Sequence, residues 1–251
     1  MTDTPSGPAA SAAAPASTRE RLLDAAQRLY AERGLDAVSL REINQAAGAR
    51  NATAVQYHFG GRPGIVRAIV ARHRPEIEAR RHALLDAYES AGLDDPRALA
   101  AALVRPLAAL LADEGGRDFL QIWAAVHNRP DPLLSTAALE DPSDSIYRWR
   151  MLVLPLLEED AARLHRRFTA LLHASIELGR RARSGPRTDD RLFTSYLIDV
   201  VTAILGAPVS AETRRLAAER DAARSPSPGS PSPGSPSPGS PSPGSHSSKT
   251  G

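Results

Sequence analysis

The sequence predicts an all-α protein. Three observations carry that prediction. Apolar residues recur at three- and four-residue spacing through most of the chain, two serine–glutamate pairs stand at the spacing that opens helices, and no run of alternating β-branched residues appears. The 251 residues are 42% apolar and 24% charged, enough for one large core or two smaller ones. With no cysteine, the chain has no disulfide, thiolate metal site or cysteine nucleophile. No stretch reaches the ~18 apolar residues of a membrane span, and no secretory signal opens the chain, so a cytoplasmic protein without a membrane partner is expected.

Four segments follow from composition. Residues 1–16 are mostly Ala, Pro, Ser, Thr and Gly, and cannot bury enough surface to offset ordering entropy, which predicts a loose leader. Residues 17–81 form a first domain and residues 82–210 a second. Residues 211–251 comprise a polar helix over 211–224 and a tail that repeats Pro-Ser-Pro-Gly-Ser four times, expected to be a mobile spacer.

The first helix opens on Ser17 with Glu20, carries Leu22, Ala26, Leu29 and Tyr30 on one stripe, and stops at Gly34. The second opens on Ser39 with Glu42 and stops at Gly48. A third short helix fits Asn51 to Tyr57. The fourth starts near Gly61, with Pro63 in its first turn and Ile65, Val66, Ile69 and Val70 inward, and Pro75 is expected to kink or end it. Further helices are predicted over 96–112, 116–128, 144–157, 159–183 and 188–205, punctuated by Pro130, Pro132, Pro142, Pro186 and Pro208.

Two short helices joined at a glycine turn, braced by a longer one, present a helix to the DNA major groove. On a helical wheel Ala54, Val55 and His58 share an arc suited to a core, while Ala52, Thr53, Gln56 and Tyr57 share the opposite arc. That second arc offers a hydroxyl and an amide for base edges and a phenol for phosphate. Arg50 precedes the helix, and Arg41 and the amides near Leu40 sit at a helix N-terminus able to hold phosphate. Charge agrees: residues 17–81 carry 12 arginines against 7 acids, a net of +5, whereas residues 82–224 carry 18 against 21, a net of −3. Three short amphipathic helices also occur in bundles that never meet nucleic acid.

Over residues 18–70 the chain resembles the TetR family of bacterial transcriptional regulators. The resemblance is carried by Arg21, Leu22, Ala25, Ala26, Leu29, Glu32 and Gly34, by Ser39, Leu40, Ile43, Ala46, Ala47 and Gly48, and by Tyr57, His58, Phe59 and Gly60. Many members have one residue fewer between the turn glycine and the closing His-Phe, and Arg62 stands where a lysine is common. The resemblance implies a three-helix helix-turn-helix head followed by a C-terminal helical domain that dimerises and binds a small effector. It further implies a homodimer on a palindromic operator in double-stranded DNA, most simply a repressor released by its ligand. The expected DNA contacts are Leu40, Arg41, Arg50, Asn51, Ala52, Thr53, Gln56, Tyr57, His58 and Arg62.

Phe119, Trp123 and His127 recur every four residues on one predicted helix, and Tyr147, Trp149 and Met151 lie on another, a concentration that suggests an effector pocket or ordinary core. The apolar stripes of the last two body helices permit either a dimer interface or intrachain packing. His173 and Glu177 are one turn apart without a third ligand, so neither metal nor cofactor is expected. Catalytic signatures such as G-x-S-x-G or a phosphate-binding loop are absent, so no enzymatic activity is expected. The alternative to a DNA-binding regulator is a helical ligand-binding or scaffold protein whose Pro-rich tail recruits a partner.

Overall fold

A computed structural model describes residues 16–92, 94–130, 133 and 140–224. The leader through residue 15, Pro132 and the Pro-Ser-Pro-Gly-Ser tail lie outside the described residues. Those described divide into two units, one ending at Val209 and the other beginning at Ser210. No strand occurs among the described residues, and no single helix there is long and apolar enough to cross a membrane.

The first unit contains α1 (Thr18–Arg33), α2 (Leu40–Ala46), α3 (Ala54–Phe59), α4 (Arg62–Ala91), α5 (Pro96–Ala108), α6 (Glu114–His127), α7 (Ser145–Val153), α8 (Glu159–Arg163), α9 (Arg166–Arg183) and α10 (Arg191–Gly206). Short 3-10 turns, Ala109–Ala112 and Leu154–Leu156, follow α5 and α7. The second unit holds α11 (Ala211–Arg224), where the Ser210 hydroxyl accepts the Thr213 amide at 3.2 Å. Both predicted capping boxes form: the Ser17 and Ser39 hydroxyls accept the Glu20 and Glu42 amides, and each glutamate returns to its serine's N–H.

Pro75 does not end the fourth helix. It lies exposed inside α4, which runs on to Ala91 because Ile77, Arg81, Leu85 and Tyr88 bury the downstream face. The carbonyl that lost its partner to the proline belongs to exposed Ala71, where water can replace it. The boundary expected after residue 81 therefore falls within a helix shared by head and body. A second difference lies near residue 164, where the helix expected over 159–183 breaks into α8 and α9. His165 there adopts a left-handed backbone at φ 58°, and its carbonyl starts α9 by accepting the Phe168 and Thr169 amides.

In the body, α6 packs principally on α9, and α5 on α10 and α4. Buried Arg81 of α4 donates to Ser145 Oγ at 2.8 Å and to the Ala102 carbonyl, while Glu78 accepts both the Ser145 amide and hydroxyl. This polar clamp fixes the start of α7 against α4, and each of its three side chains has a partner.

Candidate nucleic-acid interface

The head is built on a small core. Leu22, Ala26 and Tyr30 of α1 meet Val38, Ile43 of α2, Val55 of α3 and Ile65, Val66 and Ile69 of α4, all nearly or fully inaccessible to water. At the turn between α2 and α3, Gly48 takes φ +62°, a conformation that favours glycine. Arg21 Nε reaches over from α1 to the Ala47 carbonyl at 3.3 Å.

Asn44, which the sequence gave no reason to single out, is the buried polar residue of this turn. Its amide donates to the Ala52 carbonyl at 2.5 Å and its oxygen accepts the Val55 amide at 3.1 Å. One side chain thus ties α2 to the first turn of α3 and satisfies a helix-start donor. Gly64 fixes the other end of α3. A β-carbon there would lie 1.6 Å from the Phe59 carbonyl oxygen, so α4 approaches this closely only with glycine.

α3 begins at Ala54, three residues later than expected, because Asn51 to Thr53 form a turn. In that turn Asn51 Oδ1 accepts the Thr53 amide at 2.9 Å and the Thr53 hydroxyl at 2.8 Å. The two faces of the wheel separate clearly. Ala54 and Val55 are buried and His58 is half-buried, whereas Ala52, Thr53, Gln56 and Tyr57 are exposed, Tyr57 to 83%. An exposed phenol edge-on to the His58 ring at 5.0 Å is an apolar body with a polar tip offered to solvent.

Arg41 and Arg50 are exposed and have no ion pair or hydrogen bond among the described residues, so their charge is available to a phosphate. Leu40 is half-buried and leaves the start of α2 reachable. Arg62 is placed differently. Its guanidinium turns inward to the Leu35 carbonyl and to the Val38 carbonyl at 2.9 Å, and stands 3.7 Å from Asp36. It therefore braces the α1–α2 loop. Arg67, one turn and a half further along α4, is exposed and unpartnered among the described residues. Arg19 lies over the Phe59 ring at 5.1 Å, a cation–π contact that pins the end of α3 to α1.

Head and body meet along α1 and α6. Gln27 Nε2 donates to the Gly115 carbonyl at 2.9 Å and its oxygen faces His73 Nε2 at 3.2 Å, while Asp36 pairs with Arg129 at 2.5 Å beyond the other end of α6. Burial holds the His73 imidazole below its ordinary pKa, favouring the neutral ring that donates to Gln27.

The six aromatic and sulfur residues proposed for an effector pocket fall into separate settings. Phe119, Trp123 and His127 line up along α6 behind His73 of α4, with successive ring centroids 4.4, 5.7 and 4.1 Å apart. Trp149 is fully buried and its indole donates to the Leu99 carbonyl at 2.8 Å, Tyr147 is half-buried and Met151 is exposed. None of the six lines the 560 Å³ cleft between α5 and α10 or the 430 Å³ hollow beside it. Among the described residues no group of three or more His, Asp or Glu is placed to hold a metal.

Residues 22–69 match a family model described as bacterial regulatory proteins, tetR family. Comparison with curated proteins finds no significant match. Similar solved structures include AmtR from Mycobacterium smegmatis, 18% identical, with a TM-score of 0.41 over 83% of this chain and 96% of that one. Another is the TetR-family transcriptional regulator PfmR from Thermus thermophilus, 19% identical, with a TM-score of 0.35 over 82% of this chain and 95% of that one.

Proposed function

We propose that the chain, whose residues 22–69 match the tetR-family regulatory model, is a homodimeric transcriptional regulator that reads a palindromic operator through α3. In this reading it acts in the bacterial cytoplasm, at the nucleoid, as a repressor released by a small molecule, and has no catalytic activity. The observation that carries the reading is the division of α3. Ala54 and Val55 anchor it in the head while Thr53, Gln56 and Tyr57 are exposed, as are Arg41 and Arg50, which have no ion pair or hydrogen bond among the described residues. Gln56 offers an amide for the adenine edge, Thr53 a hydroxyl still able to accept, and Asn51 and Ala52 allow close approach of the turn. Tyr57, His58, Arg41, Arg50 and the amides at Leu40 supply the phosphate contacts that set register.

Dimerisation is supported by exposed apolar side chains on the last body helices, Phe168 of α9 and Leu192 and Tyr196 of α10. Two heads about 34 Å apart address successive major-groove faces of a palindrome. Release requires a body movement that reaches the heads; α4 runs from head to body, and the α6 segment with Arg129 just beyond it touches α1 and its following loop through Gln27–Gly115 and Asp36–Arg129. Selection of bound duplexes from a randomised library tests the reading. It predicts enrichment of an inverted repeat, and an unenriched pool contradicts it.

A further inference from the structure

The cleft between α5 and the start of α10 has the size of a small-molecule site, 560 Å³ against roughly 300–1,000 Å³ for ligand pockets. Its outer wall is the loop joining α9 to α10, and that loop is held from within. Buried Arg181 donates to Asp190 Oδ1 at 2.6 Å, to the Gly185 carbonyl at 2.8 Å and to Ser184 Oγ at 3.0 Å. A wall fixed in this way costs little to order when a ligand arrives.

Charges lining the cleft mostly cancel in pairs. Asp190 is neutralised by Arg181, Asp189 by Arg191 at 2.8 Å, and Arg97 by Asp199. Two cations remain. Arg105 of α5 and Arg187 of the loop both line the cleft and have neither an ion pair nor a hydrogen bond among the described residues. Beside them the floor is apolar, made by Ala108, Leu111 and Ile198. A surface with two unspent guanidinium groups next to an apolar floor is complementary to a molecule with an anionic head and a hydrophobic body.

We propose that this cleft binds an amphipathic organic anion, its charged group on Arg105 and Arg187 and its apolar body on Ala108, Leu111 and Ile198. On α10 the cleft residues Thr194 and Ile198 point away from the exposed Leu192 and Tyr196, while Arg187, Asp189 and Asp190 border both the cleft and the adjoining hollow that Leu192 and Tyr196 line. The cleft is also one hydrogen bond from α6, because the Leu111 carbonyl accepts Arg117 Nη1 at 3.0 Å. The regulatory meaning of the site rests on the effector-responsive reading above; its occupancy does not.

The test uses two fluorescent probes with similar ring systems, anilinonaphthalene sulfonate and the uncharged N-phenylnaphthylamine, titrated into the full chain without DNA. The sulfonate is expected to bind at least about tenfold more tightly than the neutral probe, and the double variant Arg105→Gln, Arg187→Gln to lose that preference while keeping its helical content. Arg183→Gln, outside the cleft lining, serves as the control and retains it. Equal affinity for the two probes, no binding of either, or a double variant that still prefers the sulfonate overturns the proposal. Because no DNA is present, such a failure is distinguishable from failure of operator binding.

Discussion

The side-chain oxygen of Asn44 accepts the amide of Val55 at 3.1 Å, joining two helices across eleven residues of sequence. Asn44→Ala leaves that buried amide unpaired, which costs about 1–3 kcal/mol, while the carbonyl of exposed Ala52 can turn to water. Thermal melting is expected to fall by several degrees, and DNA affinity to drop for every sequence alike because α3 loses its fixed pose. Asn44→Asp restores the acceptor alone and should recover part of the loss. An alanine variant with unchanged melting would contradict this positioning role.

Arg62 and Arg67 are expected to part company. Arg62→Ala removes the donor to the Leu35 and Val38 carbonyls and should lower melting, with the salt slope of DNA binding unchanged in the folded fraction. Arg67→Ala should leave melting unchanged and reduce the slope of log affinity against log salt by about one. Anisotropy titrations at several salt concentrations, with calorimetry alongside, separate the two effects.

Gly64→Ala forces a methyl group into the Phe59 carbonyl, where backbone must move. Overpacking of this kind costs about 1–3 kcal/mol or more. The variant is predicted to lose DNA binding while the helical body persists, visible as a small loss of far-ultraviolet dichroism and a large loss of anisotropy signal.

Asp118 gives the molecule a defined pH response. Burial, with Glu114 and Glu32 nearby, pushes its carboxyl up from 3.8 to about 6. Between those values the folded state keeps a proton that the unfolded chain has lost, so stability falls as pH rises through the window and the full penalty applies above it. Solvent screening at this partly exposed site holds the penalty to about 1 kcal/mol. Asp118→Asn should therefore melt higher at pH 7 and flatten the decline between about pH 4 and pH 6. Equal pH profiles for variant and parent would contradict it.

What could be read in advance follows from range. The capping boxes at Ser17 and Ser39 and the apolar stripe of α4 are interactions between residues three and four apart, so their spacing announces them. The two faces of α3 followed from the same geometry. Pro75 is expected to kink or end its helix, and the ending does not occur because packing of Ile77, Leu85 and Tyr88 carries α4 through it. The inward turn of Arg62, the buried role of Asn44 and the burial of Trp149 against Leu99 depend on partners distant in sequence. Residue type alone does not distinguish a phosphate-binding arginine from one that braces a loop.

The most direct test of the α3 reading compares parent, Gln56→Ala and Arg41→Ala on a selected duplex and on a shuffled one across a salt series. The account predicts that Gln56→Ala loses discrimination between the duplexes by about 1–3 kcal/mol, with the salt slope unchanged. Arg41→Ala should weaken both duplexes equally and reduce the slope by about one. A Gln56→Ala variant that discriminates as well as the parent would show that the exposed face of α3 does not read the sequence.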